Sequence, residues 1–357
     1  MDRIDLMYTD KQLGFEYSQE NTVFRVFAPT RNNIKLRIYE EAQSLKREEF
    51  EMIMNEDGTF ECKIERDLKG YYYTYLVENL YEISDPYSIA TSLNSIRSAI
   101  IDLKDTNPDG WLEHKEPEET KLIDSIIYEV QIKDFTVDRS SGAVFRGTFN
   151  GFVEENTKCK GESTGLDHLK ELGVTHIHLM PVNDFLSSKE EIEYAYKEDN
   201  YNWGYDPEHY NVVEGSFSCE PSNPLTRIIE FKKMVMKLHE AGFKVVLDVV
   251  YNHTFRGRDS NFNILVPDYY YRMLSDGTFS NGSGVGNELD TQKPMVRKFI
   301  IDSLKYWMNE FKIDGFRFDL MALIDIDTVE EAVLELREIK SDVLIYGEPW
   351  TGGITTL

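Results

Sequence analysis

The stretch from Lys312 to Leu320 reads KIDGFRFDL, and it predicts a short buried strand that ends in polar residues. Asp-Gly is a turn dipeptide, and here it separates a run of helical period from an aromatic, strand-like run. Because successive side chains of a strand point to opposite faces, Arg317 and Asp319 share one face, while Phe316 and Phe318 share the other. The strand therefore offers an apolar face for packing under helices and places a guanidinium beside a carboxylate at its end.

Two further stretches have the same form. VVLDVVYNHT at Val245–Thr254 precedes KIDGFRFDL, and LIYGEPW at Leu344–Trp350 follows it. Each is an apolar β run that ends in Asp, Asn, His or Glu, and helical patterns separate the three runs. This alternation is typical of parallel strands with right-handed crossovers, whose carboxyl ends meet on one rim. We expect the following side chains to lie together there: Asp248, Asn252, His253, Arg317, Asp319 and Glu348.

The chain as a whole predicts an α/β protein with an all-β module in front. In residues 1–105 apolar and polar residues alternate in several short runs with hairpin-type turns, which favours a β-sandwich. Residues 106–121 contain Asn-Pro-Asp-Gly and an acidic, proline-containing stretch, and we interpret them as a linker. Residues 122–357 hold five strand candidates separated by helices. A (β/α)8 TIM barrel needs eight strands and about 250 residues, so we predict an incomplete barrel.

Charge and cysteine content exclude several classes of protein. Lys and Arg total 39 against 64 Asp and Glu, giving a net charge of −25. Such a charge argues against nucleic acid and anionic membranes as partners. The three cysteines have no CxxC spacing, which does not indicate a disulfide framework or a zinc site. The N-terminus lacks the pattern of a secretory signal, and no apolar run is long enough to span a bilayer, so we expect a cytoplasmic protein.

Asp319 and Glu348 end neighbouring strands and are the candidate catalytic pair. Carboxyl groups about 5 Å apart serve retaining glycosidases as nucleophile and general acid. We expect Arg317, oriented by Asp248, to keep Asp319 charged, and the aromatic surroundings of Glu348 to raise its pKa. The alternative is a structural Arg-Asp ion pair beside solvated carboxylates.

Other polar and aromatic residues of these stretches have competing interpretations. His253 fits a structural hydrogen-bonding role better than a substrate contact. His176 and His178 face the same way, but no third residue completes a metal site. In the loop YNWGYDP, Trp203 and Tyr205 suit either stacking on sugar rings or packing of the loop itself.

The three strand ends DVVYNH, GFRFDL and GEPW resemble successive signature regions of the α-amylase superfamily of glycoside hydrolases. YNWGYDP at Tyr201–Pro207, MPVNDF at Met180–Phe185 and VGNELD at Val285–Asp290 narrow the resemblance to the type I pullulanase family. The segments FRVFAP, YYYTYLV and DPYSIA are similar to the β-sandwich, starch- and glycogen-associated module that precedes such barrels.

The resemblance implies a role for each matched residue. Asp319 would be the nucleophile and Glu348 the general acid/base. Tyr205 would stack on the attacked glucose, and Trp350 would lie near the leaving group. The subsite for that glucose would be lined by Arg317, Asp248, Asn252 and His253. The implied reaction is the retaining hydrolysis of α-1,6-glucosidic branch linkages in pullulan, glycogen or starch-derived dextrins.

The chain also departs from the pattern of that family. The family's third essential carboxylate lies in a His-Asp motif beyond the fifth strand, and no residues follow here to supply it. We therefore expect a missing C-terminal barrel segment as a partner, besides the branched α-glucan. The alternatives are another debranching or branching enzyme of the superfamily, such as an isoamylase, and an inactive α-glucan-binding fragment. No cofactor is predicted. The resemblance to the superfamily makes a calcium ion plausible, although the sequence shows no dense set of oxygen ligands for it.

Overall fold

A computed structural model describes residues 3–119 and 121–357. The strands are β1 (Gly14–Tyr17), β2 (Thr22–Phe27), β3 (Ile34–Tyr39), β4 (Glu48–Glu51), β5 (Ile53–Met54), β6 (Thr59–Ile64), β7 (Tyr72–Val77), β8 (Tyr81–Ile83), β9 (Ser98–Ala99), β10 (Ile127–Val130), β11 (Lys158–Cys159), β12 (Glu162–Ser163), β13 (His176–Leu179), β14 (Asn183–Phe185), β15 (Pro207–Val213), β16 (Lys244–Val249), β17 (Gly315–Phe318) and β18 (Leu344–Gly347). The α-helices are α1 (Ile132–Thr136), α2 (Phe149–Phe152), α3 (Gly165–Leu172), α4 (Pro224–Glu240), α5 (Asn261–Leu265), α6 (Pro294–Phe311) and α7 (Ile326–Ile339).

The N-terminal module consists of two antiparallel sheets, which confirms the predicted sandwich. One sheet has the order β1-β2-β6-β5 and the other β4-β3-β7-β8, with β9 paired to β7. The alternating residues Phe24 and Leu36 are buried between the sheets. Tyr73 and Tyr75 are buried too, and their hydroxyls donate to Oδ2 of Asp85 at 2.8 and 3.0 Å. These two tyrosines therefore belong to the core and offer no ring to a sugar.

The segment that we interpreted as a linker is packed against the domain that follows. The Trp111 ring stacks on His114 with 5.9 Å between centroids, and Nε2 of His114 lies 2.8 Å from Nδ1 of His239 on α4. Lys232, also on α4, donates from Nζ to Oδ1 of Asn107 at 2.7 Å. These contacts hold the described part of this segment on the outer surface of the second domain.

The second domain is built on a five-stranded parallel sheet with the order β10-β13-β16-β17-β18. Consecutive strands of this sheet pair in parallel, as the alternation of strand and helix patterns predicted. Helix α4 begins as predicted, with Pro224 at its first turn and Oδ1 of Asn223 accepting from the Leu225 N–H at 3.0 Å. Strand register pairs Asp248 with Arg317, and Arg317 with Tyr346.

Two strands differ from the prediction. Strand β10 reads as apolar in sequence, but Ile127 is exposed because β10 lies at one edge of the sheet. Strand β17 ends at Phe318, two residues before the predicted end, since Leu320 adopts a left-handed backbone with φ of +41°. In the described part of the chain, no helix combines the length and the apolar character that a membrane span requires.

Candidate active site

Arg317 lies at the centre of the carboxylates that the sequence analysis singled out. Its Nη1 donates to both oxygens of Asp248, at 2.9 and 3.0 Å, and to Oδ1 of Asp319 at 3.2 Å. Its Nη2 pairs with Oε1 of Glu348. Three carboxylates from three neighbouring strand ends thus share one guanidinium. The predicted pairing of Arg317 with Asp248 is present, and the net charge of the group is −2 when all four are ionised.

Several opposing influences set the pKa of Asp319. Burial is the largest influence and raises the pKa to about 6; the charges of Asp248 and Glu348 act in the same direction. The hydrogen bond from Asn252 and the charge of Arg317 oppose this rise without cancelling it. Arg317 favours the charged form, as expected, but burial has the larger influence, because the charge of Arg317 is shared among three carboxylates in a partly desolvated site.

The amide of Asn252 and two backbone amides hold Asp319 and Glu348 in place. Nδ2 of Asn252 donates to Oδ2 of Asp319 at 2.8 Å and to its carbonyl at 3.0 Å. The left-handed Leu320 directs its N–H to Oε2 of Glu348 at 3.2 Å, and the Glu348 N–H donates to the Phe318 carbonyl at 3.1 Å. Such sparsely populated backbone conformations recur at functional sites.

Gly347 allows Glu348 to approach the preceding strand. A Cβ atom at this position would lie 2.8 Å from the Phe318 carbonyl oxygen and 2.7 Å from Cβ of Met321. Any side chain here would push β18 away from β17 and move Glu348 from the guanidinium. The glycine therefore sets the spacing between the two candidate catalytic strands.

Tyr205 and His178 complete the surroundings of Asp248. The Tyr205 hydroxyl donates to Oδ2 of Asp248 at 2.7 Å, and Nε2 of His178 lies 3.2 Å from the same oxygen. Burial, followed by the charge of Asp248, raises the pKa of Tyr205, so its hydroxyl stays protonated and remains a donor. The loop YNWGYDP, which precedes β16 in the chain, thereby contacts the carboxylates around Arg317.

His253 and Trp350 occupy the limits of the site. His253 is buried; its Nε2 donates to the Tyr205 carbonyl at 2.8 Å, and its Nδ1 lies 2.5 Å from Oδ1 of Asn252. Burial also lowers the pKa of His253. This geometry matches the structural hydrogen-bonding interpretation, and a sugar contact by His253 stays a prediction. Trp350 is 55% exposed, and its predicted place near a leaving group also stays a prediction.

Tyr346 is not among the predicted site residues, and His178 is predicted only as one of two histidines without a third metal ligand. The two rings meet edge-on, with 5.9 Å between centroids, on the same face of the sheet as the guanidinium. Both follow from strand alternation, because Tyr346 lies two residues before Glu348 and His178 lies on the strand beside Asp248. They form the inner wall of the cluster.

A second group of carboxylates lies away from this site, at Asp184, Glu190 and Glu214, with oxygens within 4.8 Å of one another. Calcium would need these oxygens, but each carboxylate already has protein donors. Arg227 donates to Glu190 at 2.8 and 3.1 Å, Nδ1 of His209 lies 2.9 Å from Asp184, and the Phe185 and Ser216 amides donate to Glu214. The buried guanidinium already pairs with Glu190, and burial raises the pKa of Glu214 and so disfavours its charged form, so these residues do not fit a calcium site.

This buried ionic cluster joins the two domains. Oγ of Ser95 donates to Oδ1 of Asp184 at 2.6 Å, and the Asn94 N–H donates to Oε2 of Glu190 at 2.5 Å. Both donors belong to the N-terminal module, whereas Asp184 lies on β14 and Glu190 follows that strand, both between β13 and β16. The cluster is therefore structural, and the catalytic candidates are Asp319 and Glu348.

The arrangement around Arg317 suits chemistry in which positive charge develops on a neutral ligand. A carboxylate that titrates near pH 6 is mostly ionised at neutral pH and can act as a nucleophile. Glu348, on the next strand end, can exchange a proton with the ligand. The net negative charge of the group would attract positive charge that develops on a bound ligand.

Comparison with known proteins gives the same domain order. Residues 103–264 match the family of the α-amylase catalytic domain, and residues 12–88 match carbohydrate-binding module 48, described as the isoamylase N-terminal domain. The pullulanase of Bacillus subtilis (strain 168) is 37% identical over 353 residues, which cover 97% of this chain and 47% of that protein.

Solved pullulanase structures share the fold. The pullulanase from Paenibacillus barengoltzii, in complex with maltohexaose and α-cyclodextrin, matches with a TM-score of 0.94 and 41% identity, over 99% of this chain and 56% of that chain. The pullulanase from Bacillus acidopullulyticus matches with a TM-score of 0.95 and 42% identity, over 99% and 44%. The chain spans about half the length of these relatives. By fold and by sequence, the chain is similar to about half of a pullulanase, with a region that matches carbohydrate-binding module 48 followed by five parallel strands in the region that matches and follows the α-amylase catalytic domain.

Proposed function

We propose that this chain provides the nucleophile and the general acid/base of a retaining glycoside hydrolase. Its substrates are the α-1,6-glucosidic branch linkages of pullulan, glycogen or starch-derived dextrins. The observation that supports this proposal is the single guanidinium of Arg317, which binds Asp248, Asp319 and Glu348 from three adjacent strand ends. The similarity to pullulanases supports the choice of linkage.

The first chemical step forms a covalent intermediate. The Asp319 carboxylate attacks the anomeric carbon of the first glucose of the branch while Glu348 transfers a proton to the glycosidic oxygen, so that the branch becomes bound to Asp319 and the main chain leaves with a free 6-hydroxyl. Arg317 holds the two carboxylates on their respective sides of the bond. Tyr205 stacks on the attacked glucose, and Asp248, Asn252 and His253 line its subsite.

The second step returns Asp319 to its starting state. Glu348, now ionised, takes a proton from a water molecule, whose oxygen attacks the anomeric carbon and displaces the Asp319 carboxylate. Two inversions give net retention. Trp350 lies beside the space that the departing chain leaves.

Hydrolysis by the complete protein requires more of the barrel than these residues contain. Because the chain spans about half the length of its pullulanase relatives, we propose a C-terminal barrel segment as a partner that supplies the remaining strands and a third carboxylate. The glucan substrate is neutral, which agrees with the net charge of −25 and with the exclusion of nucleic acid and membranes. The free thiols of Cys62, Cys159 and Cys219 support a reducing, cytoplasmic location.

The proposal is tested by the release of reducing ends from pullulan and glycogen. The chain is assayed with a polypeptide that carries the remaining barrel of the Bacillus subtilis pullulanase, next to Asp319→Asn and Glu348→Gln variants. We expect pullulan to yield maltotriose in the unaltered mixture and both variants to lose more than about 1,000-fold in kcat. Hydrolysis of glycogen without hydrolysis of pullulan would instead indicate an isoamylase-like specificity.

Azide distinguishes the roles of the two carboxylates. In a Glu348→Ala variant supplied with an α-maltosyl fluoride, whose fluoride leaves without a proton, azide can attack the glycosyl-enzyme without base catalysis and should yield an α-glycosyl azide. In an Asp319→Ala variant it can replace the nucleophile and should yield the β-anomer. The same anomer from both variants, or a fully active Asp319→Asn variant, would refute the assignment.

A further inference from the structure

Three carboxylate oxygens compete for one nitrogen of Arg317. Nη1 of Arg317 lies 2.9 and 3.0 Å from the two oxygens of Asp248 and 3.2 Å from Oδ1 of Asp319. Each terminal nitrogen of a guanidinium carries two hydrogens. Nη2 is engaged separately, by Oε1 of Glu348. Nη1 therefore has one hydrogen too few for its three oxygens, and the other donors to Asp248 decide whether Asp319 keeps its share.

Two further donors reach Oδ2 of Asp248. The Tyr205 hydroxyl lies 2.7 Å from this oxygen, and Nε2 of His178 lies 3.2 Å from it. The side chain of Asp248 is fully buried, so its oxygens depend on neighbouring protein donors. When Tyr205 and His178 both donate to Oδ2, the two hydrogens of Nη1 are left for Oδ1 of Asp248 and Oδ1 of Asp319. One oxygen thus links His178 to the candidate nucleophile.

Neighbouring strands fix the orientation of the His178 ring. The ring is 2% exposed, and the Tyr346 ring meets it edge-on with 5.9 Å between centroids. Parallel register pairs His178 with Glu129 of β10, whose Oε2 lies 3.5 Å from Nδ1. The imidazole therefore lies between two carboxylates. Asp248 is the closer and the buried one, whereas the Glu129 side chain is 59% exposed. Because a hydrogen bond is stronger where water is excluded, we place the ring proton on Nε2, towards Asp248.

We propose that His178 is a positioning residue of the candidate active site, whose Nε2–H occupies Oδ2 of Asp248 and thereby leaves a hydrogen of Arg317 for Asp319. His178 acts on Asp319 only through these two side chains. Without its donor, both hydrogens of Nη1 are drawn towards Asp248, and Asp319 loses the positive charge that favours its ionised form. The inference rests on the proposed function, because Asp319 is the nucleophile of that reaction.

A comparison of His178→Gln with His178→Met tests the inference. The two replacements have the same length and a similar shape, but only glutamine carries an N–H that can donate to Asp248. Each is made with and without Asp319→Asn, and urea unfolding between pH 4 and pH 8 gives the difference in stability that Asp319 itself causes. This difference rises with pH and levels off near the pKa of the folded Asp319, about 6 in the unaltered chain. Effects of other titrating groups cancel between the members of each pair.

The difference should level off at the same pH in His178→Gln as in the unaltered chain. In His178→Met it should level off about one pH unit higher, because less positive charge opposes the protonation of Asp319. An unchanged pH in His178→Met, or equal shifts in the two variants, would overturn the inference. If His178→Met does not fold, His178→Asn replaces it, since its carboxamide is one methylene too short to reach Asp248.

His176→Met is the matched control. His176 is buried on the same face of the same strand, and its Nδ1 lies 2.8 Å from Oγ1 of Thr175. The same replacement there removes an imidazole from β13 without removing a donor to Asp248. The pH at which the stability difference levels off should not rise in this variant, and a rise equal to that of His178→Met would overturn the inference.

Hydrolysis of pullulan by the mixture described above supplies a second measurement. In His178→Met, kcat at pH 6 should fall by about fivefold, because fewer molecules carry an ionised Asp319, while KM stays within about twofold. The loss should shrink towards pH 8, where Asp319 is ionised in both proteins, and His178→Gln should restore the activity. A loss of kcat that has the same size at every pH is the mark of a residue that only supports the fold, and it would overturn the inference.

The two proposals fail in different ways. If the titration of Asp319 depends on His178 but pullulan hydrolysis does not depend on Asp319, the link through Arg317 stands and the proposed function is wrong. If hydrolysis depends on Asp319 while its titration is indifferent to His178, the function stands and the positioning role is wrong.

Discussion

Replacing Asp319 by asparagine should stabilise the fold at neutral pH while it removes the proposed nucleophile. The pKa of Asp319 is raised from 3.8 to about 6, chiefly by burial. Its folded form therefore holds a proton more tightly than the unfolded chain does. Asparagine keeps the shape and the burial but has no proton to lose.

The magnitude follows from proton linkage. Between about pH 4 and pH 6 the unfolded chain releases the proton that the folded chain still holds, so the unaltered protein loses stability as the pH rises through this window. A shift of about two pH units corresponds to about 3 kcal/mol. Since the Asp319→Asn variant does not titrate there, its stability relative to the unaltered protein should increase by about 3 kcal/mol from pH 4 to pH 7.

Urea unfolding at several pH values between 4 and 7, followed by tryptophan fluorescence, measures this difference. The difference between variant and unaltered protein should be flat below about pH 4, rise through the window and level off above about pH 6. A difference that is independent of pH would show that burial does not raise the pKa of Asp319. A difference that falls as the pH rises would show that Arg317 dominates after all.

Three other changes test the charges that surround these strands. Asp314→Asn should have the opposite effect, because burial alone would raise the pKa of Asp314 but His239 and Lys340 lower it to about 2. Above pH 4 the unaltered protein should therefore be more stable than the variant by about 2 kcal/mol, and urea titrations should show that this difference disappears as the pH falls towards 2. Asn252→Ala removes a donor to the charged carboxylate of Asp319, so the pH at which the free energy of unfolding stops falling should rise above 6 by about one unit. If this pH stays in place or moves down, the hydrogen bond does not have the role given to it. Arg227→Met leaves Glu190 buried without its guanidinium and should reduce the free energy of unfolding by about 3–5 kcal/mol, and a loss below about 1 kcal/mol would show that the cluster is not structural.

Alternation along strands made most of the site predictable. Arg317 lies on one face of β17, and the parallel register pairs it with Asp248 of β16. Asp319 and Glu348 come next on the same face, at the ends of β17 and β18. The sequence contains this period directly, and it also contains the turn signals that end each helix. The parallel order of the strands follows from the helices between them.

The pKa of Asp319 could not be predicted in the same way. Its value depends on how many groups share Arg317 and on how much solvent the neighbouring strands exclude, and both are properties of the assembled sheet. The packing of the segment around Trp111 could not be predicted for a similar reason. Its Pro, Gly and acidic residues are typical of a linker, but the partner of His114 is His239, 125 residues further along the chain.

The contacts between Asn94, Ser95 and the carboxylates of Asp184 and Glu190 determine how the two domains respond to a break in the chain. The bond between Ser95 and Asp184 is buried and the bond between Asn94 and Glu190 is partly buried. Arg31 adds a further contact across the junction by donating to the Ile264 carbonyl at 2.9 Å. A protease that cuts between residues 115 and 119 would therefore nick the polypeptide without releasing the module, and the two pieces would migrate together until a denaturant separates them. Noncovalent contacts therefore hold the N-terminal module on the second domain, and the peptide connection is not required for this attachment.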